Sequence, residues 1–471
     1  MSSPQPPLRC ADNGRDTART LHDAAPGLYL HVPFCAHRCH YCDFNTYAGL
    51  DQLMPRYVAA LRADLRAVAA AGPDAVAPPS SGLVVQAESS VDCEGVRGNA
   101  PDDTEGPGGV LPVSQGAGRA VYWLSSSDPQ RREAGCRRIR MPRVFPRGPL
   151  VQWPVFGSVF VGGGTPTMLD PADLAGILQL AREVLPVAAD AEVTVEANPE
   201  SVTTHYLARM VEAGMTRLSM GAQSFAPHVL AALGRRHGPE RPLRALAAAR
   251  ATGVRCVNLD LIYGTPGETD ADWNASLRAV MEAGVEHVSA YALTVEPATE
   301  YASRIRAGLA AAPDEDVQAE RMAVTDRALS AAGLRRYEIS SWAGPGQECR
   351  HNLTYWRGGD WLGVGAGAHG HWRGRRWWSL RSPARYADAA LSGRSTTAGA
   401  EVLDESTRRA ERLMLGLRLA EGVDLAAVAP LDEGQLGALV RAGLVRVEAT
   451  RLHLTDAGWP LANAVTVRLL P

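Results

Sequence analysis

The most informative absence in this 471-residue chain is lysine, since all 48 basic residues are arginines. A phosphate-binding lysine of the Walker A type, a lysine that forms a Schiff base and a lysine general base are therefore excluded. Enzyme classes that depend on an ε-amino group do not fit this sequence.

Three further shortages narrow the choice of function. No apolar run reaches the about 18 residues of a transmembrane helix, and residues 1–27 lack the apolar core of a signal peptide. We therefore expect a cytoplasmic protein whose thiols stay reduced. Eight cysteines are too few for a chain of this length to be stabilised mainly by disulfides. A net charge of −3 argues against general nucleic-acid binding.

The composition predicts two or three domains and two segments without regular structure. Hydrophobic residues make up 46% of the chain, which is enough for a large core. We expect the polar residues 1–27 to be disordered. Residues 73–153 are rich in Gly, Pro, Ala and Ser and have no sustained period, which predicts a disordered insertion within the first domain.

Strands and helices alternate along the rest of residues 28–340. The strands are continuous apolar runs, as in a parallel sheet that is covered on both faces. Six βα units of this kind predict an α/β fold, either a partial barrel or an open wound sheet, with ligands at the carboxyl ends of the strands. The predicted strands are 28–33, 157–162, 191–196, 216–221, 254–261 and 286–292.

Two sections follow the predicted barrel. Residues 341–402 are rich in Gly and Trp, and we treat them as a segment of their own. Residues 403–471 combine predicted helices at 404–420 and 432–442 with a hairpin at 444–454, which is typical of an α+β winged-helix-like module. This module has no evident basic recognition face, so we expect no nucleic-acid partner.

The strongest chemical signal is a group of three cysteines directly after the first strand. Cys35, Cys39 and Cys42 have the spacing CxxxCxxC. Three thiolates at this spacing can each hold one iron of a [4Fe–4S] cluster, which leaves the fourth iron open to a small molecule.

A zinc ion is the alternative occupant of this loop. Zinc normally takes four ligands, and histidines nearby could supply the fourth. We interpret these histidines as scaffold or solvent-facing residues, because the three cysteines already account for the cluster. They are His31, His37 and His40.

The cysteine spacing at the top of the first βα unit resembles that of the radical S-adenosylmethionine superfamily. The resemblance implies a partial (β/α)6 TIM-like barrel in which S-adenosylmethionine chelates the open iron and is cleaved by one electron. It also implies that the glycine-rich loop with Gly163, Gly164 and Thr165 contacts the methionine part of the cofactor. Glycines allow such a close approach, although a tight turn is the simpler interpretation of the loop.

Four polar side chains stand at or just after the ends of later strands. A polar group at the end of an apolar strand must find a partner, and four such groups around one barrel mouth indicate a polar ligand. Ribose, carboxylate and adenine groups of S-adenosylmethionine match these side chains. The four residues are Glu196, Gln223, Arg235 and Asp260.

Three more residues complete the predicted cofactor site. Tyr29 precedes the cysteines, and we expect its ring or hydroxyl to reach the nucleoside. The superfamily resemblance adds Tyr41 and Ala292 to the residues that bind S-adenosylmethionine.

Longer motifs make the resemblance more specific. The chain is similar to the oxygen-independent coproporphyrinogen oxidase family over about residues 28–72 and 154–471, through the motifs LYLHVPFC, VGGGTPT, EANPE, GAQSF, LGRRH and LDLIYGTPGE. The true oxidases of this family have a fourth cysteine two residues after the third. This chain has Phe44 there, which resembles the heme chaperone branch of the family.

The segment HNLTYW resembles the HNxxYW motif that is associated with heme in the chaperone branch. His351 could ligate heme iron, while Tyr355 and Trp356 offer a flat apolar surface for a porphyrin. Taken alone, these residues favour a hydrogen-bonded structural histidine and two core aromatics over a heme site. Cys349 is a second candidate ligand, with a buried free thiol as the alternative.

Three functions follow from these patterns. The first is a heme chaperone that carries heme as cargo to acceptor apo-hemoproteins, membrane respiratory enzymes among them. The resemblance also implies an electron donor for the cluster, and it leaves room for a homodimer and for a peripheral place at the membrane. The second function is oxygen-independent coproporphyrinogen III oxidase, and the third is a radical enzyme with another substrate. Phe44 favours the chaperone.

Overall fold

The computed structural model describes residues 25–76 and 152–470, together with the backbone of two short strands at Leu111–Val113 and Val121–Trp123. The predicted disorder of residues 1–27 falls almost wholly outside the described residues. Most of the predicted insertion at 73–153 also lies outside them. For the residues outside the described ranges both expectations remain predictions, but Gly27 is a buried residue of β1, which corrects the end of the predicted disordered N-terminus.

The strands of the described residues fall into one large sheet and three small ones. In chain order they are β1 Gly27–Val32, β2 Phe34–Cys35, β3 Tyr47–Ala48, β4 Leu111–Val113, β5 Val121–Trp123, β6 Phe156–Gly163, β7 Val187–Ala197, β8 Arg217–Gln223, β9 Cys256–Tyr263, β10 His287–Ala292, β11 Arg335–Glu338, β12 Ser341–Ala343, β13 Trp361–Val364, β14 His369–Trp372, β15 Arg375–Ser379, β16 Thr397–Val402, β17 Val423–Asp424, β18 Val445–Glu448 and β19 Arg451–Leu454.

Helices connect most of these strands. Among the described residues, no helix combines the length and the apolar composition that crossing a bilayer requires. In chain order the α-helices are α1 Met54–Ala71, α2 Pro171–Val184, α3 Thr204–Glu212, α4 Pro227–Ala232, α5 Arg241–Ala251, α6 Asp270–Ala283, α7 Glu300–Arg306, α8 Glu315–Ala331, α9 Arg350–Trp356, α10 Pro383–Leu391, α11 Glu405–Gly416, α12 Leu425–Val428, α13 Glu433–Arg441 and α14 Ala462–Leu469.

The large sheet confirms the predicted partial (β/α)6 barrel. Strands β1, β6, β7, β8, β9 and β10 pair in parallel, each with the next. Every residue of β9 is buried, as expected for a parallel strand covered on both faces. The predicted strand bounds agree closely with the observed ones, although β7 begins at Val187 rather than at residue 191.

Local sequence determines where the helices after these strands begin. Asp170 accepts a hydrogen bond from the Ala172 amide at 2.8 Å at the start of α2, and Pro171 follows where its missing N–H costs nothing. Thr269 and Asp272 form a reciprocal capping box at the start of α6. These caps fix the strand-to-helix turns at the carboxyl edge of the sheet.

The sheet extends beyond the six predicted strands at both edges. Strand β13 lies parallel to β1, and β14, β15 and β16 continue from it in antiparallel order. On the other edge, β12 and β11 are antiparallel. The sequence pattern did not predict β13, because it has only four residues, one of them Gly363, and Gly365 follows it directly. Residues 341–402 are therefore continuous with the barrel sheet.

The last section is an α+β module of the winged-helix-like type, as predicted. Helices α11, α12 and α13 accompany the three-stranded sheet β17–β19–β18, and α14 follows. A backbone bridge between Glu338 and Leu419 attaches the module to the barrel sheet at β11. The Ile339 amide also donates to the Arg418 carbonyl at 2.9 Å.

The start of the predicted insertion is ordered, which corrects its first boundary. Residues Pro73–Ala75 form a 3₁₀ turn in which Pro73 is buried. The Arg375 guanidinium donates to the carbonyls of Ala75 and Val76 at 3.4 and 3.1 Å. Residues 73–76 therefore belong to the described fold.

The end of the insertion is corrected in the same way. Trp153 is only 6% exposed, and its ring lies edge-on to Trp372 with 4.9 Å between the ring centroids. Its indole N–H donates to the Ala69 carbonyl at 3.2 Å. Burying a polar N–H requires such an acceptor, so Trp153 is a core residue and not part of a linker.

These contacts predict different outcomes for two deletions. Replacing residues 77–151 with a flexible Gly/Ser linker should leave the thermal unfolding temperature and the cluster content unchanged. Deleting residues 73–153 should destabilise the protein, because loss of a buried Trp alone costs about 3–5 kcal/mol. Differential scanning fluorimetry of both variants checks this, and equal stability of the two would contradict the corrected bounds.

Candidate functional site

A cavity of about 490 Å³ opens at the carboxyl ends of the parallel strands. This is the edge of the sheet at which α/β barrels bind ligands. The structure brings all three cysteines and most of the predicted cofactor residues to its wall. Those residues are Cys35, Cys39, Cys42, Tyr41, Gly163, Gly164, Thr165, Glu196, Gln223, Arg235, Asp260 and Ala292.

The cysteine loop is held in place by two of the nearby histidines. His37 Nε2 lies 3.1 Å from the Gly234 carbonyl oxygen, and His40 Nδ1 lies 3.2 Å from that of Ala232. Ala232 ends α4 and Gly234 follows it, so these contacts hold the cysteine loop against the C-terminal end of α4. This agrees with the interpretation of the histidines as scaffold residues.

The third histidine of the motif is inside the barrel. His31 is fully buried and contacts the Tyr29 hydroxyl at 2.9 Å and the Asn45 carbonyl at 3.1 Å. Burial lowers the pKa of His31 to about 4, so it is neutral at ordinary pH. It too is a scaffold residue.

Each cysteine sulfur has a polar neighbour. Thr165 Oγ1 lies 3.7 Å from Cys35 Sγ, and a guanidinium nitrogen of Arg235 lies 3.6 Å from Cys39 Sγ. Burial works to raise the pKa of the Cys39 thiol, but the hydrogen bond from His37 and the charge of Arg235 lower it overall. A positive neighbour of this kind stabilises thiolate ligands.

The three thiols suit an iron–sulfur cluster. Cys35, Cys39 and Cys42 all line the same cavity. A [4Fe–4S] cluster takes each thiolate at a separate iron, which three cysteines facing one cavity can supply. Zinc would need a fourth ligand, and each of the three nearby histidines has a ring nitrogen at hydrogen-bond distance from a backbone carbonyl instead.

The glycines at the end of β6 are required by packing within the protein. The Gly164 amide donates to the Val32 carbonyl at 2.8 Å, and a Cβ at Gly164 would lie 2.5 Å from the Phe34 carbonyl oxygen. Gly163 has φ +110°, and a Cβ there would strike the His31 ring. The glycines thus let this loop lie against the start of the cysteine loop.

Two of the predicted polar residues, Glu196 and Gln223, also line the cavity. Glu196 accepts a hydrogen bond from the Gly163 amide at 3.0 Å, so it links the ends of β6 and β7. Gln223 has φ +65°, in the left-handed region that residues other than glycine rarely adopt. Such strained residues concentrate at binding and catalytic sites.

Asp260 sits deeper in the cavity, on a hydrogen-bond network inside the barrel. Asn258 Nδ2 donates to one carboxylate oxygen at 2.7 Å, and the Ser219 hydroxyl lies 3.4 Å from the other. The amide oxygen of Asn258 lies 2.7 Å from His287 Nδ1. Burial raises the pKa of Asp260 to about 7, against the opposing effect of these donors.

The C-terminal module supplies a wall of the cavity that sequence reasoning missed. The module residues that line the cavity lie between 122 (Met414) and 178 (Leu470) positions beyond Ala292, the last predicted cofactor residue, and no local pattern marks them. A hydrophobic residue near the end of α14, Val467, is 70% exposed and is one of them. The full set from the module is Met414, Arg418, Asn463, Thr466, Val467 and Leu470.

Phe44 also lines the cavity. It stands two residues after Cys42, where a fourth cysteine would define the oxidase branch of the family that the sequence resembles. The residue that the resemblance uses to separate the two branches therefore faces the same space as Cys35, Cys39 and Cys42.

The prediction for Tyr29 is corrected by the structure. Tyr29 does not line the cavity, is 2% exposed and packs against Phe160. Its hydroxyl contacts His31 Nδ1. It lies three residues before the end of β1, and at about 3.3 Å per residue this places it about 10 Å below the carboxyl edge of the sheet.

The predicted heme residues also lie away from the cavity. His351 is fully buried, and its ring nitrogens lie 2.8 Å from the Ser158 hydroxyl and 2.8 Å from the Tyr355 hydroxyl. Tyr355 and Trp356 are 3% and 4% exposed. Burial lowers the pKa of His351 to about 3. The structure brings the three residues together, but none offers an open face to a porphyrin.

Cys349 is buried as well. Its thiol lies 3.3 Å from a Glu192 carboxylate oxygen, which also accepts from the His351 amide at 3.2 Å. Glu192 in turn pairs with Arg217 at 3.0 Å. This matches the alternative of a buried free thiol.

Two family models match parts of the chain. The radical SAM superfamily matches residues 150–280, and the HemN C-terminal domain matches residues 403–461. The solved structure of coproporphyrinogen III oxidase (HemN) from Escherichia coli has a TM-score of 0.68 with 19% identity, over 96% of this chain and 91% of that chain. This likeness supports the fold.

Sequence relatives extend over most of the chain. Heme chaperone HemW of Mycobacterium tuberculosis is 40% identical over 447 residues, which are 94% of this chain and 94% of the relative. Heme chaperone HemW of Escherichia coli K12 is 32% identical over 73% of this chain and 69% of the relative. The chain therefore belongs to the HemW family of radical S-adenosylmethionine proteins.

Proposed function

We propose that this protein is a heme chaperone that binds heme and transfers it to acceptor hemoproteins. The observation that carries the proposal is the similarity over 94% of both chains to a protein named as a heme chaperone. Phe44 in the cavity wall supports it, because a phenyl ring cannot act as a further thiolate ligand.

The cluster cysteines and the cavity together fit the cofactors that the family implies. Cys35, Cys39 and Cys42 would hold three irons of a [4Fe–4S] cluster. When bound, the cluster supplies one-electron chemistry and an open iron for S-adenosylmethionine. Arg235 balances the negative charge beside Cys39 through its 3.6 Å contact.

The other wall residues would orient S-adenosylmethionine. Thr165 and the backbone of the glycine loop face the cysteine end of the cavity, while Gln223 and Asp260 offer an amide and a carboxylate to hydroxyl and amino groups. Glu196 holds the glycine loop through its bond to Gly163. The chemistry of this donor set is suited to a polar nucleoside.

The raised pKa of Asp260 gives cofactor binding a predicted pH dependence. The ionised carboxylate is the better acceptor, so affinity for S-adenosylmethionine should increase as pH rises through about 7. Asn258→Leu removes a donor that stabilises the charge, and the inflection should move to higher pH. Isothermal titration calorimetry between pH 5.5 and 8.5 measures both curves.

Asp260→Asn is the control for that measurement. It keeps the size of the side chain and removes the titration, so the inflection should disappear and affinity should fall roughly tenfold to 150-fold at high pH. Other charged or titratable side chains near Asp260 are Arg235, Tyr41 and Tyr291, none of which titrates near pH 7. An unmoved inflection in Asn258→Leu would contradict the assignment to Asp260.

Acceptor proteins, an electron donor and a homodimer are part of the proposal. The acceptors would be apo-hemoproteins, including membrane-bound respiratory enzymes, which a cytoplasmic chaperone would meet at the membrane surface. Pull-down experiments with the heme-loaded protein would identify these acceptors.

The alternative function is oxygen-independent coproporphyrinogen III oxidase, and one sample distinguishes the two. The protein is reconstituted without oxygen, titrated with heme, and assayed with coproporphyrinogen III, S-adenosylmethionine and a reductant. The proposal predicts about one heme bound per chain and no decarboxylated product. Stoichiometric product with matching 5′-deoxyadenosine would overturn it.

A further inference from the structure

Trp356 of the HNxxYW motif reaches the cavity indirectly, through one arginine. The Arg418 guanidinium carbon lies 4.3 Å from the centroid of the Trp356 ring. A cation over the face of an indole is the most favourable geometry for this kind of contact. Arg418 in turn lines the cavity, whereas Trp356 does not.

The position of Arg418 is fixed by backbone and side-chain contacts. Its carbonyl accepts from the Ile339 amide at 2.9 Å, and the adjacent Leu419 bridges to Glu338 of β11. Its guanidinium lies 3.8 Å from a Glu338 carboxylate oxygen, and the Arg418 side chain is 14% exposed. The arginine is thus held between the barrel sheet, α9 and the cavity.

The C-terminal module adds apolar surface to the cavity that Arg418 lines. Met414 precedes Arg418 by one helical turn, and Val467 in α14 and Leu470 just after it line the same cavity, together with the polar Asn463 and Thr466. A guanidinium next to apolar surface favours a ligand with a broad apolar body and a carboxylate side group. Five N–H donors allow such an arginine to hold more than one carboxylate.

We propose that Arg418 binds a carboxylate group of the porphyrin cargo, and that Trp356 is the positioning residue that keeps the guanidinium facing the cavity. This inference rests on the proposed function, since it assigns heme to the C-terminal side of the cavity. The two carboxylate side chains of heme supply the matching charge. The motif would then act on heme without touching it.

Heme and its dimethyl ester test the charge pairing directly, because esterification removes the negative charge and keeps the apolar ring. Reconstituted full-length protein is titrated with each by absorbance. Arg418→Gln should weaken heme binding roughly tenfold to 150-fold and leave ester binding unchanged. Arg418→Lys, which keeps the charge without the planar fork, should fall in between.

Variants of the positioning residue separate its role from a structural one. Trp356→Leu should reduce the preference for heme over its ester, whereas Trp356→Phe, which keeps a ring face, should retain it. A general loss of folding would weaken both ligands equally and leave the ratio unchanged. Arg66→Gln, on α1 outside the cavity wall, is the matched control and should change neither affinity.

Three outcomes would overturn the inference. The first is equal heme affinity in the wild type and in Arg418→Gln. The second is an equal weakening of heme and ester binding in Arg418→Gln. The third is a loss of the preference for heme over its ester that occurs only in Arg38→Gln, in the cysteine loop. If the wild-type protein binds neither ligand, the proposed function fails instead, so the two failures are distinguishable.

Discussion

Cys39→Ala should reduce the iron content of the reconstituted protein from about four atoms per chain to near zero. Two remaining thiolates cannot hold the cluster against the solvent that enters the cavity. The Arg235 guanidinium would also lose its nearest thiolate contact, since it lies 3.6 Å from Cys39 Sγ in the native chain. Iron and sulfide analysis with the visible absorption spectrum measures the loss.

Cys256→Ala is the matched control. Cys256 is buried in β9 and does not line the cavity, so its replacement should retain the full iron content. The triple variant of Cys35, Cys39 and Cys42 sets the background. If that triple variant still reconstitutes about four irons, the ligand assignment is wrong.

His351→Ala should destabilise the protein strongly, because both ring nitrogens of the buried imidazole make hydrogen bonds. Its removal leaves the hydroxyls of Ser158 and Tyr355 without their 2.8 Å partner. Each buried group left unpaired costs about 1–3 kcal/mol, and the void adds to this. Denaturant unfolding of the cluster-loaded protein measures the change.

A second variant separates this structural role from heme ligation. His351→Leu combined with Ser158→Ala and Tyr355→Phe removes all three polar partners and should recover much of the lost stability. An axial ligand would show the opposite pattern, with an altered heme spectrum and little change in stability. That result would support His351 as a heme ligand.

The cavity was predictable from the sequence because several of the residues that line it mark the ends of strands. Parallel strands finish at one edge of the sheet, so Glu196, Gln223 and Asp260 share a cavity although they are far apart in sequence. The cysteine spacing indicated the iron–sulfur chemistry that we predict for this cavity.

Two features of the site were not predictable for physical reasons. Tyr29 alternates with buried leucines on β1, and the sequence does not show how far below the edge it lies. Met414, Arg418 and Val467 reach the cavity only because the C-terminal module docks on β11. Such docking depends on tertiary packing that no local pattern encodes.

The HNxxYW segment shows the limit of a resemblance. The motif associates His351 and Trp356 with heme but does not specify whether the contact is direct. The structure places both in the core, with Trp356 touching Arg418 at 4.3 Å. An indirect role therefore becomes the more economical account of the motif.

The rate of heme transfer tests the central claim most directly. Heme-loaded protein is mixed with increasing concentrations of a heme-free b-type cytochrome, and the transfer is followed by absorbance. A chaperone that hands heme over in a complex predicts an observed rate that rises with acceptor concentration. A rate that is independent of acceptor and equal to simple heme dissociation would contradict the chaperone account.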